Sequence, residues 1–282
     1  MSPYLLPEGN VQIAFSGGRT SAYMLHQIME ANGGLPEPRV QVAFQNTGRE
    51  MPQTLDFVQE VGQRWSVSIT WLEYRPVAPF FEVIGRQGAA ENGEPFEALI
   101  RKRQFLPNQN SRFCTEELKV RTAKRWLMSL GWKGWITARG IRRDEPARHK
   151  PPVPKERSTP WHPLYDAGVS KHDVALFWRR QPFDLRLPNH RGKTLMGNCD
   201  GCFMKSEAHV AMLARDHPER HAWWERMEHV VGRATGRAAF FSKRYRRREL
   251  REMVERQSDW IFSDEAMEAG VLCQADDGEC FG

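Results

Sequence analysis

The chain has 282 residues, with 41 Lys or Arg against 35 Asp or Glu, a formal net charge of +6. A hydrophobic fraction of 40% beside a charged fraction of 27% describes an ordinary globular protein and excludes a disordered chain. No run approaches the ~18 apolar residues that span a bilayer, and the start, MSPYLLPEGN, lacks the basic flank and apolar core of a secretory signal, so a cytoplasmic location is expected.

In chain order, VQIAFSG (11–17) is a short apolar run closing on Ser16-Gly17-Gly18, which reads as a buried strand entering a turn. Ala22, Leu25, Ile28 and Met29 then fall at helical spacing, and Asn32-Gly33-Gly34 supplies the stop. VQVAFQNT (40–47) reads as a second strand and 52–65 as a second helix, with Leu55, Val58 and Val61 on one face. VSITWLEYR (67–75) reads as a third strand. The alternation predicts an α/β fold, a twisted parallel sheet with helices on both faces. Residues 76–111, rich in Pro, Gly and Asn, read as an irregular insertion holding a short helix near 96–104. A helix over 115–131 and a strand over 132–140 follow. The proline-rich stretch 145–163 is expected to be a loop. Residues 170–180 read as a helix capped by Ser170. After Cys199-x-x-Cys202 the chain is expected to be mostly helical to about 256, giving a 1–206 domain and a 207–282 extension.

Between the first strand and its helix stands Phe15-Ser16-Gly17-Gly18-Arg19-Thr20-Ser21. Two glycines let the backbone turn and present N–H groups to an anion, the helix terminus adds its dipole, and Ser16, Thr20 and Ser21 add hydroxyls. It is not the G-x-x-x-x-G-K-[ST] loop of the common nucleoside triphosphatases. Alone, such a turn is as easily an ordinary strand-to-helix connection.

The surrounding motifs give it a context. The loop resembles the S-G-G-x-x-S loop of the ATP pyrophosphatases and phosphoadenosine phosphosulfate (PAPS) reductase-like proteins. Asn46-Thr47-Gly48 resembles the family's D/N-T-G element, and Arg112-x-Cys114 with Lys119 its R-x-C-x-x-x-x-K segment. Gly140-Ile141-Arg142-Arg143-Asp144-Glu145-x-x-Arg148 is similar to G-I-R-x-D-E-x-x-R. Trp161-His162-Pro163-Leu164 and Cys199-Asp200-Gly201-Cys202 resemble two later elements, in the family's order. The resemblance implies an adenine nucleotide α-hydrolase-like fold with ATP or PAPS as substrate at the C-terminal ends of the strands. Ser16, Gly17, Gly18, Arg19, Thr20, Ser21, Asn46, Thr47, Gly48, Gly140 and Ile141 would then bind the nucleotide. Arg142, Arg143, Arg148 and Lys119 are the candidate catalytic cations, since guanidinium forks suit phosphate and sulfate oxygens; surface pairing with Asp144 and Glu145 is their alternative. Arg19-Thr20 replaces the Lys-Asp of many pyrophosphatases and Asn46 replaces an Asp. Both changes remove acidic candidates for Mg²⁺, and the first leans toward the reductases.

Five cysteines with one C-x-x-C suit a metal or a cluster assembled by folding. In cluster-bearing relatives a cysteine pair after the insertion and a late C-x-x-C hold a [4Fe–4S] cluster. Here the first pair is reduced to Cys114, because residue 113 is Phe. The resemblance implies Cys114, Cys199 and Cys202 as ligands, with Cys280 preferred to Cys273 as the fourth. Cys280 alternatively serves as a terminal thiol nucleophile, one iron stays open to carry sulfide, or the same cysteines hold a structural zinc. Residues 243–251, KRYRRRELR, carry six basic side chains against one Glu. They are read either as a solvated helix face or as a contact for nucleic acid. Three functions compete: an enzyme of adenine-nucleotide-dependent sulfur chemistry, a DNA or tRNA sulfur-modification protein, and a nucleotide-binding module with a structural metal.

Overall fold

The computed structural model describes residues 2–36, 38–152, 156–190 and 193–256. Strand β1 (Val11–Ala14) is wholly buried and leads into α1 (Arg19–Asn32). The helix stops as expected: Gly33 takes the left-handed conformation at φ 63° and its N–H reaches Met29 O. Next come β2 (Val40–Asn46), α2 (Pro52–Arg64) with proline in the first turn, and β3 (Ile69–Tyr74).

The region 76–111 is less irregular than its composition predicts. It holds β4 (Phe81–Ile84), antiparallel to β3, before the expected helix α3 (Glu94–Arg103). This strand lies at the sheet edge and is half-exposed on both faces, so it carries no apolar run to reveal it. Glu73 and Glu82 stand opposite each other, and Arg75 offsets their repulsion at 2.8 Å and 2.6 Å.

The predicted helix over 115–131 is two pieces, a π-helical segment Thr115–Arg121 and α4 (Thr122–Ser129). At the junction Thr122 Oγ1 donates to Glu117 O at 2.8 Å, covering a carbonyl that the wider turn leaves exposed. After β5 (Trp135–Ala138), the proline-rich stretch is a correction: it contains β6 (Ser158–Trp161), parallel to β5. Then follow α5 (Pro163–Asp166), α6 (Lys171–Arg179) with a Ser170–Asp173 capping box, and the hairpin β7 (Asn189–His190) and β8 (Lys193–Thr194). Three helices end the described chain: α7 (Glu207–Asp216), α8 (Pro218–Thr235) and α9 (Arg247–Arg256). Cys273 and Cys280 lie outside the described residues.

The six-stranded sheet has the order β4-β3-β2-β1-β5-β6 and is parallel except for β4. The order reverses between β1 and β5. At such a switch point the loops leaving neighbouring strands part and open a crevice. One face packs Phe15, Leu25, Leu55, Val58 and Trp178 into the main core; the other packs Ala43, Leu72, Trp126, Leu127 and Trp135. Trp223, Trp224, Met227 and Phe241 of the C-terminal region join the main core. Among the described residues no helix is long and apolar enough to cross a membrane.

Candidate functional site

The loop after β1 is shaped from within. Gly17 has φ 79°, and a Cβ there would lie 2.8 Å from Thr54 Cγ2 and 3.0 Å from Val58 Cγ2, so α2 packs against bare backbone. Ser21 Oγ accepts from Ser16 N at 3.2 Å, meets Ser16 Oγ at 2.9 Å and donates to Gly18 O at 3.0 Å. Gly18 is the N-cap of α1, with no side-chain cap and no acidic residue in the first turn. That terminus keeps its positive dipole for an anion.

Arg19 has a different task from the expected one. Its guanidinium binds Asp184 through two hydrogen bonds, at 2.6 Å and 2.9 Å, and also reaches Leu185 O and Thr194 Oγ1. It clamps the 184–194 segment onto α1. Across the crevice Arg142 is buried and donates to Thr20 Oγ1 at 3.0 Å, tying the loop after β5 to the loop after β1. Its Nε also pairs with Asp144, and Arg148 pairs with Glu145 at 2.7 Å, so ion pairing with both acids is present. Arg143 is exposed, with its guanidinium 4.6 Å from the centre of the Tyr165 ring. Gly140 and Ile141 are buried beside them. Burial first, then His149, Arg139 and Arg148, push His162 down to about 4, which leaves it neutral at pH 7.

The loop after β2 is held as tightly. Asn46 donates to Glu73 Oε1 at 2.7 Å and Ala90 O at 2.8 Å, and accepts from Gly48 N at 3.0 Å, so its amide is spent on the loop itself. Gly48 (φ 78°) passes Gly93 so closely that a Cβ would lie 2.9 Å from Gly93 Cα. Thr47 is buried in this frame and lines a cavity together with Arg112, Cys114, Lys119, Cys199 and Cys202 among others. Thr47 Oγ1 lies 3.4 Å from Cys199 Sγ. Folding thus brings three of the four predicted cysteine ligands to one cavity. The π-helical segment places Cys114 and Lys119 on the same wall. Burial and the nearby Glu50 push the Cys199 thiol well up, and Lys119 acts against them.

Sequence reasoning missed the charge centre behind these thiols. Asp200, between the two cysteines of the C-x-x-C, is wholly buried. Its Oδ2 accepts from Arg49 Nη2 at 2.6 Å and Arg220 Nε at 2.5 Å, and its Oδ1 from Trp224 Nε1 at 2.8 Å and Gly201 N at 2.7 Å. Asp200 N in turn donates to Arg49 O at 2.9 Å, so the β2 loop and the thiol loop are fastened twice. Arg247 is also wholly buried and donates to Gly201 O at 2.7 Å. Of the two readings of 243–251, the ion pairs along it fit the helix face, with one residue turned inward. Arg247 is internal, Arg246 lies 3.5 Å from Glu249, Arg248 pairs with Glu252, and Arg251 pairs with Glu225 and Glu255. The missed signal was periodicity: Leu250 and Val254 follow Arg247 by three and seven residues, the spacing of one buried helix face.

Comparisons with known proteins identify the family. Residues 10–182 match the family profile of the phosphoadenosine phosphosulfate reductase domain, a match that ends before the Cys199–Cys202 loop. The chain is 32% identical over 219 residues to the "uncharacterized nin region protein ORF290" of Escherichia phage lambda, covering 72% of this chain and 69% of that protein. The crystal structure of phosphoadenylyl-sulfate (PAPS) reductase from Candida auris, in a phosphate complex, is similar at 18% identity and TM-score 0.40, over 64% of this chain and 79% of that one. On the family profile and the phage relative, the chain belongs to the phosphoadenosine phosphosulfate reductase domain family.

Proposed function

We propose that this protein is an enzyme of adenine-nucleotide-dependent sulfur chemistry, with the nucleotide's phosphates at the start of α1 and its reactive end at the thiol cavity. Thr47 carries the reading. It belongs to the loop at the C-terminal end of β2, beside the crevice, and the same side chain touches Cys199. The uncapped end of α1 would hold phosphate oxygens, and Arg143, exposed on the facing loop, would add a cation. In the sulfonucleotide version the Cys280 thiolate, which is then nucleophile and not cluster ligand, attacks the sulfate sulfur. The S–O bond breaks and the nucleotide leaves with the electron pair; an added dithiol then displaces sulfite from the S-sulfocysteine and is oxidised to a disulfide. In the transferase version an acceptor oxygen attacks the α-phosphorus of ATP and pyrophosphate leaves.

The lining of the cavity offers thiols without any carboxylate or imidazole, a soft donor set that suits iron–sulfur chemistry. Cys114, Cys199 and Cys202 would hold the [4Fe–4S] cluster, with Cys280, outside the described residues, as the fourth ligand. When bound, it would supply an electropositive centre beside the reacting group. Among the described residues no three His, Cys, Asp or Glu side chains are placed to hold a single metal ion, so the cluster and its zinc alternative rest alike on the cysteines that share this lining.

Calorimetry with ATP and with PAPS tests the nucleotide site. One of them should bind, and Arg143→Ala should weaken it at least tenfold; no binding of either overturns the reading. Sulfite release then marks the reductase and pyrophosphate release the transferase. Anaerobically prepared protein should contain iron and sulfide that Cys199→Ser loses, and stoichiometric zinc without iron would remove the cluster from the proposal.

A further inference from the structure

From the last residue of α8 to the first of α9 the chain runs without a single acidic side chain: Glu228 and Glu249 bracket twenty residues that include seven Lys or Arg. Three of these, Arg246, Arg247 and Arg248, are committed within the protein as described above. The other four, Arg233, Arg237, Lys243 and Arg244, are exposed and have no ion-pair partner among the described residues. Arg233 stands in the last turn of α8, and the connector that carries the other three is fixed in place. The buried carboxylate of Glu228 accepts from Phe241 N at 3.1 Å and from Arg247 N at 3.0 Å, and Phe241 is packed in the main core. Through Arg247 the same connector is joined to Gly201 in the thiol loop.

We infer that residues 233–244 form a docking surface for the phosphate backbone of duplex DNA, held at a fixed position relative to the thiol cavity. One unneutralised cation in the last turn of α8 and three on the anchored connector after it suit a row of phosphates. Among its described residues the connector offers no open stacking platform of the kind that single strands use: Phe241 is buried, Tyr245 packs against Val210, Leu250 and Val254, and the Arg246 guanidinium lies 4.8 Å from the centre of the Phe240 ring. Such a surface positions a duplex without reading its sequence. The inference goes beyond the nucleotide reading and does not need it.

The test is fluorescence anisotropy of a short labelled duplex DNA with the full chain, without nucleotide, titrated with NaCl. Four phosphate contacts give log K a slope against log[salt] of about −3.6. Arg237→Gln with Lys243→Gln should make the slope shallower by about 2 and weaken binding at least tenfold at low salt. Lys124→Gln with Lys133→Gln, on α4 and the turn after it, removes the same charge elsewhere and should leave both unchanged. All four positions are at least partly exposed, and matched thermal melts confirm that each variant folds. Absence of duplex binding at low salt, coincident slopes for wild type and the connector variant, equal weakening by both pairs, or tighter binding of single strands would each overturn the inference. Nucleotide calorimetry on the same proteins is a separate result, so the two readings fail independently.

Discussion

Replacing Asp200 by Asn should be among the most damaging isosteric changes in the protein. The carboxylate is 0% exposed, and the guanidiniums of Arg49 and Arg220 that meet it are only 3% and 11% exposed. Asn keeps the shape but loses the charge, leaving two cations against a neutral group. It also turns one accepting oxygen into an NH₂ that faces donors, and because each oxygen accepts two hydrogen bonds, two of the four are lost whichever way the amide sits. Breaking a buried ion pair from one side costs about 3–5 kcal/mol. For a chain of this size that corresponds to a fall in Tm of roughly 6–20 °C. Urea denaturation and a thermal melt measure it, with Asp216→Asn as the control. Asp216 pairs with Arg215 at the surface, where such a pair contributes about 1 kcal/mol or less. The buried carboxylate also holds the thiol loop, so Cys199 should alkylate faster in Asp200→Asn at a temperature where both proteins are folded. A loss within 1 kcal/mol of the control, with unchanged Cys199 reactivity, would refute the reasoning.

Acid should destabilise the protein well before its carboxylates titrate. His162 and His221 are pushed down to about 4 and about 3, in both cases by burial first, from an ordinary value of 6.5. The unfolded chain therefore takes up protons first, and stability that is complete above about pH 6.5 falls as pH drops toward the folded values, by about 2 kcal/mol per histidine at pH 5. Urea midpoints at pH 7.5 and 5.0 should show this, with a smaller difference in His221→Leu. Gly17→Ala should lose about 1–3 kcal/mol in the melt, because its φ of 79° and the 2.8 Å approach of Thr54 Cγ2 both oppose a side chain. A chain ending at Arg256 should bind duplex DNA at least threefold more tightly at low salt, since 257–282 holds seven acidic residues and no basic one. The gain should vanish at high salt, where screening removes long-range repulsion.

The sequence made the sheet legible wherever strands are buried on both faces. β1, β2 and β3 are short, mostly apolar segments, VQIA, VQVAFQN and ITWLEY, as parallel strands under two helical layers tend to be. The two edge strands escaped for the opposite reason. β4 is half-exposed and β6 contains a proline, so neither shows the pattern that burial imposes. The site divides in the same way. Motifs placed the glycine loops and the cysteines, because their spacing reflects local backbone chemistry. They did not reveal that Arg19, Asn46 and Ser21 work inward, or that Arg49, Asp200, Arg220 and Arg247 form the frame behind the thiols. Those contacts join residues as many as 171 positions apart, for example Arg49 Nη2 with Arg220 O, and nothing local in the sequence marks them.

Pro160 also bears on how the molecule meets its neighbours. β6 forms the rim of the sheet on the side away from β4. Its Trp161 carbonyl accepts from Arg139 N, just past the end of β5, and Arg157 O just before it accepts from Trp135 N. Backbone polar groups alternate direction along a strand, so the even-numbered positions 158 and 160 turn theirs outward. Proline has no N–H to offer, and it stands where an incoming strand would seek one. The rim is thereby closed to sheet extension, and self-association of this protein by strand addition is blocked along that side.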